Sequence, residues 1–333
     1  MPPYAAVSTS VTLARETAGG DAARFVNATL RRIAAQAPGP APAGPSHPEW
    51  LLLRWRARFG PDETNRLVDW NDSRPALTLQ PARWPREELA ARLREAGLVI
   101  DDAPFGAGLR VTGASRPTTL PGFDAGAFIV QDAGPAMVCR FAAIPRGATV
   151  YDACAAPGGK AIVLARDGAV VVAGDAQRAR VTRLAETVRR CDDRVTVTAA
   201  DILQAPFAPA AFDAVLVDAP CTATGVMARH PDARWRLSER AIQRAAERQK
   251  TLLTRAADLV RPGGVLVYAT CSLEPEENEG VVNALLEMRS DYQREPVRDV
   301  VPGELITPVG DLAILPQRHG VDGAYAARLV RSS

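Results

Sequence analysis

Lysine is almost missing from this 333-residue chain: of its 40 basic side chains, 38 are arginines and two are lysines, Lys160 and Lys250. The arginine excess reads first as a compositional bias of the whole chain, although arginine also grips phosphates bidentately and stacks on bases. A lysine kept in such a chain invites a chemical reason. Net charge is only +2, so no global positive field announces a nucleic acid. Histidine is scarce, with three residues, and the five cysteines (Cys139, Cys154, Cys191, Cys221 and Cys271) include no CxxC pair, so no metal site is expected. The odd thiol count fits reduced cysteines in the cytoplasm better than a disulfide framework. No apolar run approaches the ~18 residues that cross a bilayer, so no membrane partner is expected. The opening MPPYAAVSTS lacks the basic and apolar segments of a signal peptide. Apolar residues make up 47%, enough for a core.

The texture divides the chain into four stretches. Residues 1–37 hold a helical pattern over 11–37, with Phe25, Leu30 and Ile33 among arginines and alanines, and PGPAPAGPSHP at 38–48 reads as a stiff linker. Residues 49–125 open with a helical stretch (48–70, mixing Trp50, Leu51, Trp55, Leu67 and Trp70 with arginines). They continue as a small α+β module: RPALTLQP as a strand, PREELAARLREAG as a helix, LVIDD and GLRVTG as strands. Residues 126–333 repeat strand–loop–helix units, with strands at 148–154, 169–175, 194–201, 212–220 and 264–272. These runs are β-branched and apolar throughout, as in a parallel sheet covered on both faces, so the fold expected is a doubly wound, Rossmann-like α/β domain. The strongest helix spans 238–260 and is stopped by Arg-Pro-Gly-Gly.

In a doubly wound sheet, ligands sit beyond the carboxyl ends of the strands. Asp152 and Cys154 close the first strand, Asp175 the second and Asp201 the third; Asp218 and Cys221 follow the fourth and Cys271 the fifth. After the first strand, CAAPGGK (154–160) is neither GxGxxG nor a phosphate loop. Its small residues let a ligand approach the backbone at a helix start. Asp175 either grips the two ribose hydroxyls of a nucleoside cofactor or caps the helix after it; the spacing favours the ribose. Asp201 is placed to reach an adenine amino group. A cysteine is most often a small buried hydrophobe, yet two at neighbouring strand ends, in DAPCTATG and YATCS, suit another chemistry. A thiolate adding to carbon 6 of a pyrimidine makes carbon 5 nucleophilic towards a methyl sulfonium, and a second group must then help break the adduct. These residues do not say which thiol attacks.

The motifs DACAAPGGK, AGD with Arg180 five residues on, AAD at 201, DAPCTATGVMARHPDARW and YATCSLEPEENE stand in order between VQDAGPAM (130–137) and a closing hairpin QRHGVDGAYAARLV. Together they resemble the RsmB/Sun-type RNA (cytosine-5) methyltransferases. The resemblance implies that S-adenosylmethionine is held by Cys154, Ala155, Ala156, Pro157, Gly158, Gly159 and Lys160 with Asp175, Arg180, Asp201 and Asp218. It makes Cys271 the nucleophile and Cys221 the group that assists release. Asp218, in protonated form, would hold the ring nitrogen of the base, and Lys160 would point at that base. His230 would order the loop near the bases. The resemblance also implies that residues 74–125 help cradle RNA. The substrate would be small-subunit ribosomal RNA, with transfer RNA as the alternative, and the enzyme would act as a monomer in the cytoplasm. Only the tail of the family's NusB-like helical domain is recognisable, at 19–33. Glu274, Glu276 and Glu277 read as an acidic helix start, Cys139 and Cys191 as packing or surface cysteines, and His47 and His319 carry no functional reading.

Two other functions compete. A non-catalytic ribosome-assembly factor could keep the fold, although both cysteines and the cofactor-site aspartates are intact. A small-molecule methyltransferase would leave the arginine-rich lead-in without a purpose.

Overall fold

The fold is that of a computed structural model, which describes residues 3–35, 46–113, 116–192, 194–297 and 299–333. The chain forms two compact units, Met1–Ser46 and His47–Ser333. The first is helix α1 (Pro3–Ala35), which starts ahead of the expected 11–37 and breaks at Gly19, where φ is 87° and ψ is −178°. That backbone suits a residue without a Cβ. Val7 and Val11 of one arm line a groove with Asn27 and Ala34 of the other. Of the linker expected at 38–48, positions 38–45 lie outside the described residues.

The second unit opens with α2 (Glu49–Phe59) and α3 (Pro61–Asp72), so the single stretch expected over 48–70 is two helices. Gly60 turns the chain at φ 81°, and Pro61 starts a new helix whose first turn carries Asp62 and Glu63. Leu51, Trp55 and Leu67 bury their side chains against Met227 and Leu273, well down the chain.

An antiparallel sheet follows, made of β1 (Leu77–Pro81), β2 (Val99–Asp102), β3 (Leu109–Thr112) and β4 (Phe128–Val130) in the order β2-β3-β1-β4. Helix α4 (Arg86–Glu95) covers it, sealing Leu89 and Leu93 against Leu79, Leu109 and Phe128. The expected boundary at 125 falls inside this sheet, because β4 pairs with β1. Three residues give too little pattern to assign.

After α5 (Ala133–Ala142) come β5 (Thr149–Ala153), α6 (Gly159–Arg166), β6 (Val170–Asp175), α7 (Arg178–Cys191), β7 (Thr196–Ala199) and β8 (Phe212–Asp218). Then follow α8 (Ala233–Arg236), α9 (Glu239–Leu259), β9 (Val260–Thr270), α10 (Glu279–Met288), β10 (Tyr292–Arg294), β11 (Leu312–Ile314) and β12 (Ala324–Arg331). The main sheet runs β10-β12-β9-β8-β5-β6-β7, with β11 on β12. Strands β9, β8, β5, β6 and β7 are mutually parallel, as expected of a Rossmann-like domain, and β12 and β10 add an antiparallel edge. Separate apolar cores on its two faces explain the continuous apolar strands. Ser238 caps α9 by accepting from the Ala241 N–H. The chain winds outward from β5 through β6 and β7, then returns to β8 on the other side of β5, so the strand order reverses between β5 and β8. A crevice is expected at that reversal.

Leu93 is fully buried between α4 and the first sheet. Leu93→Ala is expected to cost about 2–5 kcal/mol, read as a lower urea midpoint with far-UV circular dichroism unchanged in native buffer. An unchanged midpoint would contradict the packing of α4.

Candidate active site

The reversal between β5 and β8 places the ends of those strands side by side. A cavity of about 240 Å³ opens there, lined by Asp152, Ala155, Pro157, Gly159, Lys160, Asp218, Arg229 and Asp322 among others. Lys160 Nζ donates to Asp218 Oδ2 at 2.6 Å. Burial works against the ammonium, but the Asp218 carboxylate outweighs it and holds the Lys160 pKa above the usual lysine value. Asp152, fully buried at the end of β5, has no well-formed hydrogen bond to either oxygen among the described residues. Burial, helped by the charge of Asp218, pushes its carboxyl up to about 8. Asp132 accepts from Thr78 Oγ1 (2.8 Å) and from the Asp322 N–H (2.7 Å), tying β1 and the segment before β12 to the start of α5. Arg229 bridges Asp132 and Asp322.

On the other side of the 154–157 turn, Cys154, Asp175, Arg180, Asp201, Ile202, Pro220 and Leu252 line a narrow cleft of about 60 Å³. Asp175 Oδ1 accepts from the Gln177 N–H at 3.0 Å, while Oδ2 lies 3.0 Å from Arg180 Nε. Arg180 also donates to the Ala156 carbonyl (3.1 Å). Asp201 caps the turn after β7 through the Leu203 N–H. Burial and the nearby Asp175 charge push the Cys154 thiol up to about 12, which keeps it un-ionised. The glycines, read from the sequence as room for a ligand, are also needed by the protein. A Cβ on Gly158 would come within 2.9 Å of Leu184, and one on Gly159 within 2.9 Å of Gln131.

Cys221 and Cys271 come together. Their sulfurs are 3.2 Å apart, in hydrogen-bonding contact, with no disulfide. The hydrogen bond to Cys271, then burial and the charges of Cys271 and Glu277, push the Cys221 thiol well above its usual value, so it stays protonated. The Cys271 turn is pinned on several sides. Its carbonyl accepts from the Gly225 N–H (2.9 Å), so closely that a Cβ on Gly225 would lie 2.7 Å from that oxygen. Thr270 Oγ1 donates to Asn278, and Asn278 donates back to the Ser272 carbonyl.

Glu274, Glu276 and Glu277 do not form a helix start, since α10 begins at Glu279. Glu274 is buried and accepts from Trp55 Nε1 (3.1 Å) and from Arg54, which also holds Glu276. Glu277 is fully buried among donors from both cysteine-bearing turns. Sequence reasoning missed these roles, as it missed Arg54, Trp55 and Gln249. A pair 220 residues apart leaves no local pattern. Cys139 and Cys191 are both buried, so of the two readings open to them packing holds. His230 is exposed.

A family model described as 16S rRNA methyltransferase RsmB/F matches residues 143–330, and the ferredoxin-like domain of RsmF/B-like methyltransferases matches residues 47–116. The chain belongs to the RsmB/F family. A probable ribosomal RNA small subunit methyltransferase B of Synechocystis is 33% identical over an alignment that takes in 100% of this chain and 79% of that protein. The ribosomal RNA small subunit methyltransferase B of Erwinia tasmaniensis is 36% identical over 86% of this chain and 66% of its own length. Thus the chain spans about two thirds to four fifths of these relatives. Among solved structures, that of PH0851 superposes with a TM-score of 0.83 at 28% identity, covering 96% of this chain and 75% of that one. NSun6 from Pyrococcus horikoshii with SFG gives a TM-score of 0.76 at 20% identity over 87% and 99%, and shows the fold alone.

RsmB/F proteins are S-adenosylmethionine-dependent methyltransferases, and this member has groups that fit the cofactor. Among the described residues, none donates to Oδ2 of the buried Asp175 with good hydrogen-bond geometry. Ile202, Pro220 and Leu252 give apolar walls beside it, as a nucleoside requires.

The raised pKa of Asp152 makes a stability prediction. Between the ordinary value of 3.8 and about 8, the folded protein keeps a proton that the unfolded chain has released. Stability is therefore lost as pH rises through that window. Asp152→Asn removes this contribution, and its urea midpoint is expected to fall less than the wild type's between about pH 5 and about pH 8. Parallel pH profiles would show that Asp152 is not a buried neutral acid.

Proposed function

We propose that this chain methylates carbon 5 of a cytosine in RNA, most directly small-subunit ribosomal RNA, through a covalent adduct at carbon 6. The observation that carries this reading is the pair of sulfurs 3.2 Å apart at the ends of adjacent strands, beside the Asp218–Lys160 pair. Simple methyl transfer to an already nucleophilic atom needs no thiol, whereas carbon 5 needs one to activate it and a second group to undo the activation. The relatives' designation as small-subunit ribosomal RNA methyltransferases supports the substrate.

S-adenosylmethionine supplies an electrophilic methyl group when bound, with the 154–160 turn, Asp175, Arg180 and Asp201 as its holders. Cys271 is the nucleophile. Its thiolate forms the bond to carbon 6, and the ring electrons shift to carbon 5. Asp218 holds the ring nitrogen and Lys160 points at the base, where its ammonium draws electron density from the ring. After methylation, the Cys221 thiol passes its proton across the 3.2 Å contact to the departing Cys271 sulfur, and the thiolate so formed takes the proton from carbon 5 as the double bond reforms. Cys221 is suited to that role because its high pKa makes its thiolate a strong base once formed.

Bisulfite sequencing of RNA from cells with and without the gene tests the site and the activity together. Cys271→Ala is expected to abolish methylation, while Cys221→Ala accumulates a protein–RNA adduct that survives denaturing electrophoresis. An adduct in Cys271→Ala instead would reverse the two roles. An unchanged bisulfite pattern at every cytosine would remove the proposal.

A further inference from the structure

Both cysteine-bearing turns end on one carboxylate. Glu277 Oε2 accepts from the Thr222 N–H at 2.9 Å, and Oε1 accepts from the Thr222 hydroxyl. Thr222 directly follows Cys221. Glu277 Oε1 also accepts from the hydroxyl of Ser272 at 2.6 Å, and Ser272 directly follows Cys271. Gln249 of α9 completes the set, donating to Glu277 Oε2 at 2.8 Å and to the Pro220 carbonyl, just before Cys221, at 3.0 Å. The backbone of Glu277 is itself held, its carbonyl accepting from Tyr268 OH at 2.6 Å. Glu277 is fully buried, so this carboxylate has no water to exchange for these donors.

Four donors on one buried carboxylate, from turns after different strands and from a helix, fix the turns relative to each other as well as to the sheet. A buried carboxylate is an expensive way to fill space, and a hydrophobic side chain would serve packing better. What the carboxylate adds is a rigid two-oxygen fork with room for donors from both turns.

We propose that Glu277 is a positioning residue that sets the spacing of the Cys221 and Cys271 sulfurs by clasping both of their turns. Glu277 touches neither substrate nor cofactor in this role. The inference rests on the two-thiol reading for its consequence in catalysis, but the clasp is a statement about geometry and is read separately.

The test uses the full chain and two readouts. Phenylarsine oxide bridges two neighbouring thiols, forming two As–S bonds and releasing one water, and intact mass reports the capture. Wild type is expected to take up one arsenical, lost in Cys271→Ala. In folded Glu277→Gln, capture should weaken by about tenfold, because the gain from holding both thiols at once is lost. With a small-subunit ribosomal RNA transcript, kcat should fall by about 100-fold. KM for the RNA should stay within about twofold, since no RNA contact has changed. If Glu277→Gln does not fold, Thr222→Val and Thr222→Ser decide. The valine, without a hydroxyl, should weaken capture, and the serine should retain it. Wild-type capture and kcat in folded Glu277→Gln, or equal capture by the valine and serine variants, would overturn the clasp. A wild type that captures the arsenical with this order of variants but methylates no cytosine supports the clasp and removes the proposed function instead.

Discussion

Neighbouring parallel strands lie about 4.8 Å apart, and the contact between Cys221 and Cys271 depends on that spacing. Strands β8 and β9 are paired in parallel, with Asp218 opposite Ala269. Each cysteine lies two or three residues beyond that register point, where the ladder has ended and the chain must turn. The sheet therefore delivers two turns to the same place but does not fix their sulfurs. That is left to side chains: Glu277 with Thr222 and Ser272, Asn278 with Thr270, and the close approach of Gly225 to the Cys271 carbonyl. The last of these leaves no room for a Cβ, so the glycine of DAPCTATG serves the Cys271 backbone.

The same dependence reaches out to the front of the second unit. Trp55 and Arg54 of α2 hold Glu274, and Leu51 and Trp55 pack on Leu273, two residues past Cys271. The helix pair is thereby part of what supports the cysteine turn. The first sheet is joined to the crevice through Thr78 and Asp132. A displaced α2 would first be felt at Glu274, and only then at the sulfur.

The parallel strands were legible in the sequence because a strand buried on both faces must be apolar along its whole length, and five such runs stood apart between turns. The helix at 238–260 was legible because one apolar face persists over 21 residues in α9. The residues at the strand ends could be named from the order of the strands alone. What could not be read was pairing across distance. The strand β4 is three residues long, and the closing strand β12 pairs with β9 and β10 as well as with β11, which lies ahead of the closing segment. Nor could charge pattern separate Glu277 from Glu276. The two are adjacent acids in PEENE, but one is fully buried among donors while the other stays at the surface beside Arg54. Burial, not composition, decides which is a structural carboxylate.

Lys160 shows why an arginine-rich chain keeps a lysine at one place. Its ammonium is nearly enclosed and meets a single oxygen of Asp218. A guanidinium there would bring a larger planar head with five N–H donors to a nearly enclosed place where the ammonium meets one oxygen, and each unmet donor would cost the desolvation it gave up. Lys250, by contrast, pairs with Glu247 one turn earlier on α9, a place that an arginine would fill as well. Of the two lysines, only the one at the crevice is held there by what its neighbours can accept.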